Sequence, residues 1–240
     1  MKNPKEFKSK PFDIQQEFME RMNISSPVIF DVGANRGQTA RRYCKHFPES
    51  KLYCFEPFPE TVNSLRQEVN HLSNVTVVPM AVSSTSGRRE FFVNGSHATN
   101  SLLPRNTNGR RYFPSEADFK LMIEVDVTSI DEFMIEQDIK HIDILKFDIQ
   151  GGELMALQGA MKALQNRAIS VIYTEIFFVH HYQDSPLFHN LWQHLDQFQY
   201  SLFDIYHLRR AKNGQLRFGD ALFVSPQVRQ DIVDNFSDED

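Results

Sequence analysis

Two cysteines, Cys44 and Cys54, are all that the 240 residues contain. So few thiols exclude a disulfide-stapled fold, and the expectation is buried, reduced thiols. No apolar run reaches the roughly 18 residues that a membrane span requires. Residues 1–11 carry lysines, but no apolar stretch follows them as a secretory signal would need. Together these absences lead to the expectation of a cytoplasmic chain. An excess of positive charge is missing too. Lys and Arg number 26 against 31 Asp and Glu, a net charge of −5, which is the wrong sign for a general nucleic-acid binder. Glycine is scarce at ten residues, so its placement is informative. Two glycines stand at 33 and 37, and three more at 151, 152 and 159.

The first pair lies in Val28-Ile29-Phe30-Asp31-Val32-Gly33-Ala34-Asn35-Arg36-Gly37. A short apolar run ends in an acid, two glycines follow, and a helical pattern begins. That order builds a strand, a tight turn and a helix start around the polar end of a nucleotide-like ligand. Glycine permits the turn and lets a ligand come close, so Gly33→Val is expected to abolish ligand binding in a folded protein. The middle glycine that a dinucleotide pyrophosphate needs is absent. Asp31 would repel a phosphate and suits a ligand with an amino group, a sulfonium and ribose hydroxyls. S-adenosylmethionine has all three.

A second apolar run, Leu52-Tyr53-Cys54-Phe55, ends in Glu56-Pro57, 19 residues after Gly37. An acid at the end of the second strand accepts hydrogen bonds from ribose hydroxyls in nucleotide folds. A third run, Ile142 to Phe147, ends in Asp148 and leads to Ile149-Gln150-Gly151-Gly152-Glu153. These residues resemble the FkbM family of S-adenosylmethionine-dependent methyltransferases. The resemblance rests on D-V-G-A-N-x-G at Asp31 to Gly37, E-P at Glu56-Pro57, and L-K-x-D-x-E-G-x-E at Leu145 to Glu153. Thr128 to Asp131 is similar to the family's T-L-D segment, and Asn100-Ser101-Leu102 to its N-S-L segment. The likeness runs from about Pro27 to Ser225. Gln150 departs from it, because that position is commonly Glu.

The coarse order of elements is βαβαβ from residue 28 to 79, the signature of a parallel sheet. A lead-in helix is expected at 12–23, extra strands near 88–93 and 121–127, and a helix near 128–137. Strand 142–148, helix 151–165, strand 169–176 and helix 186–198 follow. Two strands joined through Asn213-Gly214 close the order. The resemblance implies a Rossmann-like class I methyltransferase fold: an α/β, mostly parallel seven-stranded sheet, helices on both faces and an antiparallel C-terminal edge. Residues 1–26 form the lead-in segment, 27–226 the methyltransferase domain and 227–240 an acidic tail. Residues 94–114 lack periodicity and carry Arg105, Arg110 and Arg111. They read equally as a lid over an anionic acceptor or as a plain surface loop.

The cofactor-binding residues expected are Asp31, Gly33, Asn35, Gly37, Glu56, Pro57 and Ala81. Strand ends in an open α/β sheet meet at one crevice, which leaves Asp148 and Glu175 for the acceptor. His180 and His181 are further candidates for a general base. Their spacing with Asp184 matches no zinc pattern, so no metal is expected. The resemblance implies methylation of a hydroxyl on a sugar, glycan or natural product. The alternatives are an N-methyltransferase of the same fold, a non-catalytic cofactor-binding module and a nicotinamide oxidoreductase. Neither a nucleic acid nor a membrane is expected as partner, and the sequence leaves the oligomeric state open.

Overall fold

A computed structural model describes residues 8–106 and 118–235. The strands are β1 (Val28–Val32), β2 (Lys51–Phe55), β3 (Val75–Val78), β4 (Ala81–Val82), β5 (Gly87–Asn94), β6 (Phe119–Thr128), β7 (Ile142–Phe147), β8 (Ile169–Phe177), β9 (Ser201–Arg210) and β10 (Leu216–Val224). The helices are α1 (Pro11–Arg21), α2 (Gln38–His46), α3 (Pro59–Val69), α4 (Ile130–Glu136), α5 (Glu153–Gln158), α6 (Met161–Gln165), α7 (Phe188–Asp196) and the short α8 (Pro226–Val228).

Seven strands form one sheet in the order β3-β2-β1-β7-β8-β10-β9. Strands β3, β2, β1, β7 and β8 run parallel, and β10 is antiparallel to both β8 and β9. The reversed strand therefore sits one position inside the edge, and β9 is the edge strand. Gly214, at φ 85°, makes the hairpin between them. A left-handed turn of this kind matches the twist of the strands it joins.

Burial on both faces explains the near-continuous apolar runs of the central strands. Phe12, Ile14, Phe18 and Met19 of α1, Tyr43 of α2 and Leu65 of α3 pack on one face. Phe133 of α4, Leu157 of α5, Leu164 of α6 and Leu191 of α7 pack on the other. Beside this sheet lies a three-stranded one in the order β4-β6-β5. Two of its strands fall where extra strands were expected. The third, β4, is two residues long and too short to show a period.

The helix expected at 151–165 is two helices, broken at Gly159-Ala160. A Cβ at Gly159 would stand 2.1 Å from the carbonyl oxygen of Ser83. Asp131 caps the second piece, its carboxylate accepting from the backbone N–H of Lys162 at 2.8 Å and of Ala163 at 2.9 Å. Ser129 caps α4 by accepting from the Glu132 N–H at 3.2 Å. The Thr-Ser-Ile-Asp segment is thus a capping device, since each helix start leaves backbone donors to satisfy. Among the described residues no helix is long and apolar enough to cross a membrane.

Candidate active site

Strand register decides which acids reach the site. Asp31 pairs with Cys54 on one side and Lys146 on the other, and Lys146 pairs with Tyr173. All four lie inside the sheet. Two residues further along, Glu56, Gly33 and Asp148 come past its carboxyl edge, while Glu175 stays within the sheet, paired with Asp220 of β10. This second row lines a cavity of ≈ 240 Å³ together with Asn35, Pro57, Ala81 and Gln150. Its apolar walls include Phe55, Met80, Phe91 and Leu102. An open basin of ≈ 750 Å³ continues from it, sharing Asn35, His97 and Ala98 and adding Arg36 and Lys120.

Asp31 is fully buried and faces away from this cavity. Its carboxylate lies 2.9 Å from the Lys146 ammonium, which also donates to the Gly33 carbonyl at 3.3 Å. Burial pushes the Asp31 carboxyl up, and the ammonium opposes that rise. Lys146 is held above its ordinary value because the attraction of Asp31 and Asp148 outweighs its own burial. The pair is an internal ion pair. The expectation that Asp31 offers its charge to a ligand cation is not matched by this placement.

Glu56 is 7% exposed. One carboxylate oxygen accepts from the Asn35 N–H at 3.1 Å and the other from the Phe58 N–H at 3.0 Å. Burial outweighs both donors and pushes the carboxyl up to about 7. Each oxygen keeps a further lone pair for a hydroxyl. Asn35 holds its N–H in place through a left-handed backbone, φ 49°, a conformation that Asn tolerates better than most residues.

The two loop glycines serve the fold. Gly33 has φ 82°, and a Cβ there would lie 2.0 Å from the Asp148 carbonyl oxygen. The close approach that Gly33 permits is therefore that of the β7–α5 loop, which corrects the expectation that Gly33→Val would leave a folded protein. Gly37, at φ 86°, sits at the start of α2, where a Cβ would meet Leu65 of α3 at 3.0 Å. Gly37 is not in the cavity wall.

Asp148 is exposed and Glu175 is partly buried in the cavity wall. Gln150 joins them, its amide nitrogen donating to Asp148 Oδ1 at 2.9 Å and to Glu175 Oε2 at 2.7 Å. Burial and the charges of Asp148 and Glu153 push Glu175 well up. Glu153 is itself buried, accepts from the Ile149 N–H at 3.0 Å, and is pushed up to about 7 by desolvation. Its structural task is to close the loop that leads into α5. Ser101 donates to the Gln150 carbonyl oxygen at 2.8 Å, and Leu102 beside it lines the cavity. The Asn-Ser-Leu segment thereby becomes a wall of the site.

The histidines lie elsewhere. His181 is 1% exposed, packed on Phe177 with ring centroids 4.8 Å apart. Desolvation, with Arg217 and Arg105 nearby, drives it down to about 3, which leaves a very weak base. His180 meets the Ser185 carbonyl oxygen through Nδ1 at 2.8 Å. Neither lines the cavity. Of the arginines in the segment 94–114, Arg105 lies over the Tyr182 ring, 5.6 Å from its centroid. Arg110 and Arg111 are outside the described residues, as are residues 236–240 of the acidic tail. Among the described residues, no cluster of His, Cys, Asp and Glu could hold a metal ion.

A family model described as the Methyltransferase FkbM domain matches residues 31–202. The chain belongs to the FkbM methyltransferase family. It is similar to the 2-O-methyltransferase NoeI of Sinorhizobium fredii, 26% identical over 182 residues, which cover 73% of this chain and 71% of that protein. Similarity to the hexuronic acid methyltransferase AglP of Haloferax volcanii is 28% over 141 residues, 58% of this chain and 52% of the relative. Among solved structures, precorrin-6y C5,15-methyltransferase of Geobacter metallireducens aligns with 93% of each chain at 11% identity and a TM-score of 0.47. This FkbM methyltransferase uses S-adenosylmethionine, and its cavity residues suit that molecule. The Glu56 carboxylate has lone pairs of the kind that hydroxyls donate to, the apolar walls match a flat base, and the exposed Asp148 carboxylate matches a cationic pole.

Proposed function

We propose that this methyltransferase acts on a hydroxyl oxygen of a sugar or glycan. The observation that carries the reading is the set of three carboxyl groups, Glu56, Asp148 and Glu175, in the wall of one cavity. Glu56 would hold the ribose end of the cofactor, and Asp148 and Glu175 would stand beside the reacting methyl. S-adenosylmethionine supplies an electrophilic methyl group on a sulfonium.

The protein's share is alignment, exclusion of water and custody of one proton. Alignment of an in-line displacement lowers the barrier by roughly 7–11 kcal/mol. A sugar hydroxyl is a poor nucleophile at neutral pH, and a placed base adds about 10²–10⁴-fold. Asp148, the more exposed of the two acids, is the group that takes the hydroxyl proton as the new C–O bond forms. Glu175, pushed up by its neighbours, is suited to donate a hydrogen bond to an acceptor oxygen. The names of NoeI and AglP, a 2-O-methyltransferase and a hexuronic acid methyltransferase, support a sugar acceptor over an amine.

The test is transfer of labelled methyl from S-adenosylmethionine over matched sugars and amino sugars. The expected product is an O-methyl ether, with turnover falling at least tenfold in Asp148→Asn while S-adenosylhomocysteine affinity stays within a few-fold. Methylation of nitrogen only, or unchanged turnover in Asp148→Asn, would remove the reading.

A further inference from the structure

The bridge at Gln150 is more than a link between two side chains. Gln150 sits in the left-handed region, φ 58°, directly before Gly151 at φ 97°. That turn aims its side chain back over the strand ends. The Tyr182 hydroxyl lies 2.7 Å from Gln150 Oε1 and 3.0 Å from the Thr99 carbonyl oxygen. Both of these oxygens can only accept, so the tyrosine shares its proton between them. The amide orientation is fixed from the other end as well, because only its NH₂ can donate to both carboxylates. Tyr182 is fully buried, so the anchor itself is held by packing. A carboxylate at this position could offer no N–H and would add a negative charge beside Asp148.

We propose that Gln150 is a positioning residue for methyl transfer: its amide ties Asp148 and Glu175 into one acceptor-facing unit and fixes the direction of the Asp148 carboxylate. The idea rests on the reading above that these two acids flank the acceptor hydroxyl. The charged and titratable groups around the pair are Asp31 from β1, Lys146 from β7, Glu153 from α5, Tyr173 from β8, Tyr182 from the loop after β8 and Asp220 from β10. In that crowd of acids, a neutral double donor at position 150 holds the two carboxyl groups together without adding a charge.

Double-mutant kinetics on the whole chain, with the sugar acceptor that the labelled-methyl test identifies, read this directly. Gln150→Leu removes both N–H groups and should lower kcat about tenfold or more, with S-adenosylhomocysteine affinity within about twofold. The same substitution placed in Asp148→Asn should cost at most about twofold more, because the acid through which Gln150 acts is already gone. Gln150→Asn keeps the amide and tolerates the left-handed backbone, but is one methylene too short to reach both acids. It serves where Gln150→Leu does not fold, and the same non-additive loss is expected from it. A folded variant with wild-type kcat, or one whose loss is as large in Asp148→Asn as in the wild type, overturns the proposal. The two readings fail separately. A wild-type protein that methylates no hydroxyl removes the reaction, whereas additive losses remove only the role of Gln150.

Discussion

Asp31 and Glu56 end neighbouring strands, and each is an acid of the kind a nucleotide fold sets there. Their fates differ because of two residues of register. Asp31 pairs with Cys54, so it lies within the sheet, whereas Glu56 comes two residues later and clears the edge. The first acid is neutralised by Lys146 and locks two strands together. The second meets only backbone N–H groups and faces a cavity. Of these two acids, the one within the paired strands serves stability, and the one beyond them is free to serve a ligand.

The largest effect that can break this comparison is at Gly33, where the two rows meet. Gly33→Val should yield little folded protein, because its Cβ would collide with the Asp148 carbonyl and its φ of 82° is left-handed. Circular dichroism and gel filtration of the purified variant check this. A folded Gly33→Val protein with native melting would show that the loops separate at little cost.

Next in size is the ion pair. Asp31→Ala leaves a buried ammonium unpaired and should cost about 3–5 kcal/mol in denaturant unfolding. The double replacement Asp31→Leu with Lys146→Met removes both charges and should recover most of that loss. Equal destabilisation by the single and double variants would mean that Asp31 is needed for something other than Lys146.

Much of this architecture was legible in the sequence because periodicity reports burial. The apolar runs at 28–32, 51–55 and 142–147 are strands buried on both faces, and the alternation with helices implied a parallel order. Glu56 and Asp148 were legible as strand-end acids, whereas Glu175 lies inside β8, which pairing with β10 carries past it. The place of Asp31 was not, because register depends on pairing between strands far apart in the chain. The break at Gly159 was hidden as well, since it arises from contact with Ser83. His180 and His181 looked chemical by residue type alone. The fold turns His181 into a ring stack between Phe177 and Phe218. The anchoring of Gln150 by Tyr182 joins residues 32 positions apart, and only the departure from the family pattern hinted at it.

The most direct measurement is calorimetric titration with S-adenosylhomocysteine across pH 5.5 to 8, on the wild type and on Glu56→Gln. Glu56 is held at about 7 and must be charged to accept from two hydroxyls. Binding should therefore strengthen as pH rises to about 7, by roughly tenfold per unit below that point, and then level off. Glu153, the other carboxyl pushed to about 7, does not line the cavity and should contribute little to this slope. Glu56→Gln should bind about ten- to a hundredfold more weakly at pH 8, from the loss of roughly 1.5–3 kcal/mol of charged hydrogen bonding, and its affinity should vary little with pH. Wild-type affinity in Glu56→Gln, or an unchanged pH slope, would contradict the account and return the cofactor contact to another acid.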